Sequence, residues 1–169
     1  MPAGFQCTTC GEFHEGYPLC YGPPAPQLWF NIPEAEREQR CLLSPEVCMV
    51  DDDHYFVLGC VEIPIIDSDD MFVWLAWVSL SKENFVRTHE LWEEQGRENE
   101  PPYFAWFSSA LPYETTTLHL KAKLHTRPVG ERPCIELQEC DHPLYLQQKQ
   151  GISWAEVQSL AMRLMHGHA

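Results

Sequence analysis

Cys7-Thr8-Thr9-Cys10-Gly11, followed at once by His14, is the arrangement in this chain most suited to chemistry. Two thiolates three positions apart can hold one metal ion, and Gly11 lets the backbone turn tightly behind them. Thiolate with neutral imidazole is a donor set that suits zinc. A closed tetrahedral site needs four ligands, and this stretch offers three. Cys20, Cys41, Cys48 and His54 are the nearby completions. Cys48 stands just before the acidic run Asp51-Asp52-Asp53, where a strand end can meet an N-terminal arm. The expected set is therefore Cys7, Cys10, His14 and Cys48 around a structural zinc ion. Two other readings compete. Redox chemistry needs the second cysteine in the first turn of a helix, which Gly11 and Glu15-Gly16-Tyr17-Pro18 oppose. Two unligated thiols on a flexible arm are the plain alternative.

A second constellation is cationic. From Thr117 to Arg127 the residues alternate, with Leu118, Leu120, Ala122 and Leu124 on one side and His119, Lys121, Lys123, His125 and Arg127 on the other. The strand period of two fixes this division. Arg132 and His142 follow. Arg127 and Arg132 can clamp a carboxylate or phosphate, His125 or His142 can move a proton, or the face can dock a partner. The ordinary alternative is a solvated sheet face whose bases are balanced by neighbouring acids. His166 and His168 are assigned to solvent. The chain holds no Gly-x-Ser-x-Gly, no glycine loop for phosphate and no His-Glu-x-x-His. No catalytic residue is identified, and the chain reads as a non-enzyme.

The 169 residues, 44% of them apolar and six of them Trp, are enough for one domain with a real core. The net charge of −14 removes the basic footprint that nucleic-acid binding requires and any attraction to an anionic membrane. Residues 1–116 carry −15 and residues 117–169 carry +1. Such a surface suits a basic protein partner. There is no signal-like start and no apolar run of the roughly 18 residues a bilayer needs. A cytoplasmic protein is expected, with its eight cysteines as thiols and metal ligands.

These groups must be positioned by an α+β fold. The expectation is one domain, residues 1–169. It divides into an irregular metal-binding arm at 1–26, an α+β core at 27–150 with a mostly antiparallel sheet and flanking helices, and a C-terminal helix at 151–169. Gln27 to Asn31 reads as a short strand and Pro33 to Arg40 as a short helix. Tyr55 to Ile66 and Met71 to Leu80 are long strands, the second covered on both faces, with Trp74 and Trp77 on opposite sides. Gly59 inside the first marks close packing or a bulge. Ser81 caps a helix from Lys82 to about Gln95. Tyr103–Ser108, Thr117–Arg127 and Cys134–Gln138 are further strands. Asp141 caps a short helical turn, and Ser153 with Glu156 forms a capping box for the last helix.

The chain also resembles the bacterial domain of unknown function 2199 family over essentially its full length. The resemblance is carried by Cys7-Thr-Thr-Cys-Gly-Glu-Phe-His14 with Pro18, the Cys48–Asp51 turn, and Tyr55 to Pro64. It continues in Phe72 to Ser81, Pro102-Tyr-Phe-Ala-Trp106, His125-Thr-Arg-Pro-Val-Gly-Glu-Arg-Pro133, Asp141-His-Pro-Leu144 and Gly151-Ile152. The resemblance implies a small, stand-alone bacterial protein and supplies no activity. By this similarity Cys7, Cys10, His14 and Cys48 match recurring positions. The chain departs from the pattern at Leu58, where Arg is usual, and at Leu75 and Ala105, where Gly is usual. Two functions follow. One is a non-enzymatic interaction module, inhibitor- or immunity-like, with zinc pinning the arm and acidity steering a basic partner. The other is a small-molecule-binding protein or enzyme using His125, Arg127, Arg132 and His142.

Overall fold

Two long β-branched and aromatic runs form the centre of this α+β chain, and everything else is arranged around their pairing. The computed structural model describes residues 4–7 and 10–166. Its arm holds β1 (Phe5–Gln6), β2 (Phe13–His14) and β3 (Cys20–Tyr21). Two short helices follow, α1 (Gln27–Asn31) and α2 (Glu34–Arg40), then β4 (Cys41–Leu43) and β5 (Val47–Val50). The long pair is β6 (His54–Pro64) and β7 (Met71–Leu80). After α3 (Lys82–Glu90) and a 3-10 turn at Arg97–Asn99 come β8 (Tyr103–Phe107), β9 (Lys121–His125) and β10 (Cys134–Leu137). The chain finishes with α4 (Pro143–Gln150) and α5 (Trp154–Met165).

β6 and β7 pair antiparallel from Tyr55↔Leu80 to Pro64↔Met71. β7–β8, β8–β9 and β9–β10 are antiparallel too, and β10 returns to β6 in parallel at Cys134↔Cys60. The sheet is therefore mostly antiparallel, as expected, but it closes into a five-stranded barrel. Parity explains the parallel seam. Each connection in a meander reverses direction, so the fifth strand runs the same way as the first. β5 and β4 extend the sheet from the first half of β6, and β3 adds to β7 in parallel.

The edge of β6 is shared. Residues 54–57 pair with β5, and Cys60 pairs with β10. Gly59 sits at the handover. A Cβ there would lie 2.8 Å from Ile135 Cγ1 and 3.1 Å from the Pro133 carbonyl oxygen, so the close approach of β10 requires glycine.

The alternation in β7 sorts two cores. Phe72, Trp74, Ala76 and Val78 fill the barrel with Val61, Ala105, Leu124 and Ile135. Trp77 points outward into a second cluster with Cys48, Val50, Leu58 and Ile32, covered by Leu28 and Trp29. Both faces of β7 are therefore covered. Of the three family departures, Leu58 belongs to this outer cluster and Ala105 to the barrel interior.

Several local expectations are corrected. Gln27–Asn31 is a helical turn, because the extended Pro26 starts it and adjacent Leu28 and Trp29 both pack on the outer cluster, which strand alternation would prevent. The strand expected at Thr117–Arg127 is confined to β9, since His119 has φ +66° and Thr117 is buried, its hydroxyl donating to the Ser109 carbonyl (2.6 Å). α3 ends at Glu90, although Ser81 does cap it, accepting from the Asn84 amide (3.2 Å). The cap of α4 is His142 and not Asp141. The arm is less irregular than expected, because β1 pairs with β2 and β3 joins the main sheet.

Candidate metal centre

The knuckle at Cys7–Cys10 is made by its own backbone. The Cys7 amide donates to Glu12 O (2.8 Å) and the Gly11 amide to Cys7 O (3.0 Å). Gly11 takes φ +74°, a conformation glycine reaches without strain. The Gln6 side chain also donates to the Gly11 carbonyl. Pairing of Phe5 with His14 across β1–β2 then brings His14 back toward the two cysteines.

The other half of the site comes from the far end of the chain. Ser153 and Glu156 form a capping box that fixes the start of α5. Val157, Leu160 and Ala161 bury its inner face, so the helix is held along its length. Its C-cap is His166. Phe5 stacks on Tyr17 at 4.5 Å, and Tyr17 meets Trp154 at 6.3 Å, which ties the arm to the first turn of α5 as well.

One ligand atom from each of Cys7, Cys10, His14 and His166 lies within 4.8 Å of every other. Cys7 Sγ is 2.7 Å from His166 Nε2, and Cys10 Sγ is 3.3 Å from His14 Nε2. Zinc–sulfur and zinc–nitrogen bonds at tetrahedral angles separate neighbouring ligand atoms by about 3.3–3.8 Å. The Cys10–His14 separation meets that range and the Cys7–His166 contact is shorter than it, so the group has the donor types to hold one metal ion once that pair opens slightly. Cys7 is buried, Cys10 exposed, and both histidines half-buried.

His166 is the member of this group that sequence reasoning assigned to solvent. No local signal marks it, since its partner Cys7 is 159 positions away. His168, also assigned to solvent, lies outside the described residues. The expected fourth ligand, Cys48, stands elsewhere. It is fully buried on β5, where strand parity turns it into the outer core cluster. Burial pushes its thiol up to about 12, with Cys41 adding to the effect. Cys20, Cys41 and His54, the other completions, also lie outside the group.

The cationic candidates are distributed over separate environments. His125 Nε2 meets Glu136 Oε2 at 2.7 Å, and that hydrogen bond holds the Glu136 carboxyl below its ordinary range. Lys149 reaches the same carboxylate at 3.5 Å. Arg127 pairs with Glu62 (2.7 Å) and Arg132 with Glu46 (2.9 Å). The buried His142 uses both ring nitrogens. Nδ1 accepts from the Leu144 amide (3.1 Å), so Nε2 is the protonated nitrogen and donates to the Thr115 carbonyl (2.9 Å). That tautomer makes His142 a fixed structural cap. Arg127 and Arg132 alone of the four line one cleft, together with Arg97, which sequence reasoning missed.

Among the described residues no helix is long and apolar enough to cross a membrane. No curated protein matches the chain, and no solved structure does. One family model matches residues 6–152, described as an uncharacterized protein conserved in bacteria (DUF2199). That match spans the knuckle, the whole barrel and α4, so the chain belongs to the bacterial domain of unknown function 2199 family.

Proposed function

We propose that this protein binds one zinc ion through Cys7, Cys10, His14 and His166, and that the ion is structural. The observation that carries the reading is the gathering of two thiols and two imidazoles from both ends of the chain within 4.8 Å. Two sulfur and two nitrogen donors complete a four-coordinate set with no position left for water, which is the signature of a structural rather than a catalytic zinc. When bound, zinc supplies a cross-link between the arm and the end of α5. Metal analysis of protein purified without added zinc tests this. The expected result is close to one equivalent, falling to a small residue in His166→Ala. Less than about half an equivalent in protein shown not to have been stripped removes the proposal.

On this footing the protein is a non-enzymatic interaction module whose acidic first two thirds meet a basic protein partner. The reading is supported by −15 on residues 1–116 and by the absence of a nucleophile motif. Capture from a native bacterial lysate at low and high salt tests it. A reproducible basic partner lost at high salt is expected. No reproducible partner at low salt counts against the module.

A further inference from the structure

An open cleft of about 580 Å³ lies over the outer face of β6, a size within the range of small-ligand sites. Cys60 and Trp92 line it, as do Arg97, Arg127 and Arg132. Its charged groups fall into two sets, those answered within the protein and those left over.

Arg97 is buried beside it and has no carboxylate partner among the described residues. Its guanidinium donates to four backbone carbonyls, those of Trp92 (2.8 Å), Arg127 (2.7 Å), Pro128 (3.0 Å) and Glu131 (3.0 Å). Those carbonyls take four of its five N–H hydrogens and, with the Trp92 ring 5.7 Å away, partly balance its charge, which leaves a cation without an ionic partner among the described residues. These bonds also pin the 127–131 loop that presents Arg127 and Arg132. Arg132 commits Nε and one terminal nitrogen to Glu46. Its other terminal nitrogen makes no hydrogen bond among the described residues, which leaves two donors available. Arg127 is answered by Glu62. Glu93 and Glu131 border the same cleft, both exposed and without an ion pair among the described residues. The groups left over along the cleft are therefore the free end of the Arg132 guanidinium and the Glu93 and Glu131 carboxylates.

We propose that this cleft binds a small zwitterion of amino-acid type, its oxyanion held by the free terminal nitrogen of Arg132 with Arg97 adding positive charge from beneath, and its ammonium toward Glu93 and Glu131. A ligand bearing only an oxyanion meets the two exposed carboxylates, and one bearing only a cation meets the guanidiniums. The two-sign lining therefore selects a dipolar molecule. The site is independent of the metal reading, because none of its residues belongs to the arm or α5.

The test is calorimetric titration of the full chain as purified with a panel of the free L-amino acids, alongside acetate and methylammonium at matched ionic strength. At least one amino acid is expected to saturate with a Kd below about 1 mM, and neither single-charge control is expected to do so. Arg132→Gln should weaken that binding by about tenfold or more, as loss of a charge-assisted hydrogen bond does. Glu131→Gln, an exposed position whose side chain carries no contact needed for folding, should weaken it by about two- to fivefold. Bound ligand should also slow maleimide labelling of Cys60, read by mass spectrometry against the exposed Cys20. Absence of saturation by any amino acid overturns the proposal. Acetate binding as tightly as the best amino acid does so too, as does unchanged affinity in both variants.

Discussion

Cys7 Sγ and His166 Nε2 stand 2.7 Å apart although 159 positions separate them in the chain. The first turn of the arm and the C-cap of the final helix are therefore one structural unit, which also includes Cys10 and His14. The contact gives the C-terminal helix a function beyond covering the barrel.

Cys48 and Cys7 should behave oppositely on substitution. Cys7→Ser is expected to lose most of the bound metal. It should also raise hydrogen exchange at residues 10–21 and 154–166 while leaving β6 and β7 protected. Cys48→Ala should keep the metal and lower stability by about 1 kcal/mol through lost packing. Metal content and exchange mass spectrometry read both, and metal loss in Cys48→Ala would restore it as a ligand.

Gly59→Ala should destabilise the fold by about 1–3 kcal/mol, because the added methyl meets Ile135 and the Pro133 carbonyl where β10 closes the barrel. The urea midpoint measures the loss. A neutral result would mean that the seam can spread without cost.

Tyr113 provides an alkaline limb. Burial pushes its phenol up to about 12. Its hydroxyl accepts from Trp74 Nε1 (3.0 Å) and donates to Gln147 Oε1 (2.7 Å). A raised folded value favours the neutral phenol, so this contribution is complete below about pH 10, where free tyrosine titrates. It is lost as pH climbs toward 12. Tyr113→Phe should cost about 1–2 kcal/mol at neutral pH by leaving the Trp74 N–H unpaired, and should flatten the decline above pH 10. Thermal melts across pH 8–12 on both proteins provide the comparison.

Asp51 provides the acid counterpart. The Arg40 side chain, bonded to both its oxygens at 2.7 Å, holds its carboxyl below the usual range. A depressed carboxyl stabilises the fold above its unfolded value, near pH 4, and the contribution disappears as pH falls further. Asp51→Asn also tolerates the φ of +55° at this position. It should reduce the acid dependence of the melting temperature between about pH 5 and 2 without collapsing the fold. An unchanged acid limb would assign that limb to other carboxylates.

The long elements were legible because their signals are local. Met71–Leu80 is an apolar run of strand length rich in β-branched and aromatic residues, and Ser153 and Glu156 sit at capping-box spacing, so both are placed at their observed positions. Two features escaped because they depend on parity and return. Whether Cys48 faces the arm or the core is decided by which residue of β5 opposes Phe56, a register that nothing in the segment itself states. His166 becomes a neighbour of Cys7 only when α5 lies back along the arm. The cationic run read correctly as alternating over Lys121–His125. The acid partners of His125, Arg127 and Arg132, which are Glu136, Glu62 and Glu46, come from three different segments and are invisible from the run alone.

The parallel seam between Cys60 and Cys134 imposes an order on assembly. β6 and β7 are joined by a short turn and can zip first, and each later strand extends the growing sheet, but nothing can close it before β10 exists. A nascent chain that ends short of residue 134 must carry an open sheet, with bare hydrogen-bonding edges on β9 and on the second half of β6. During synthesis, that interval is when the protein is most exposed to mispairing with a neighbour.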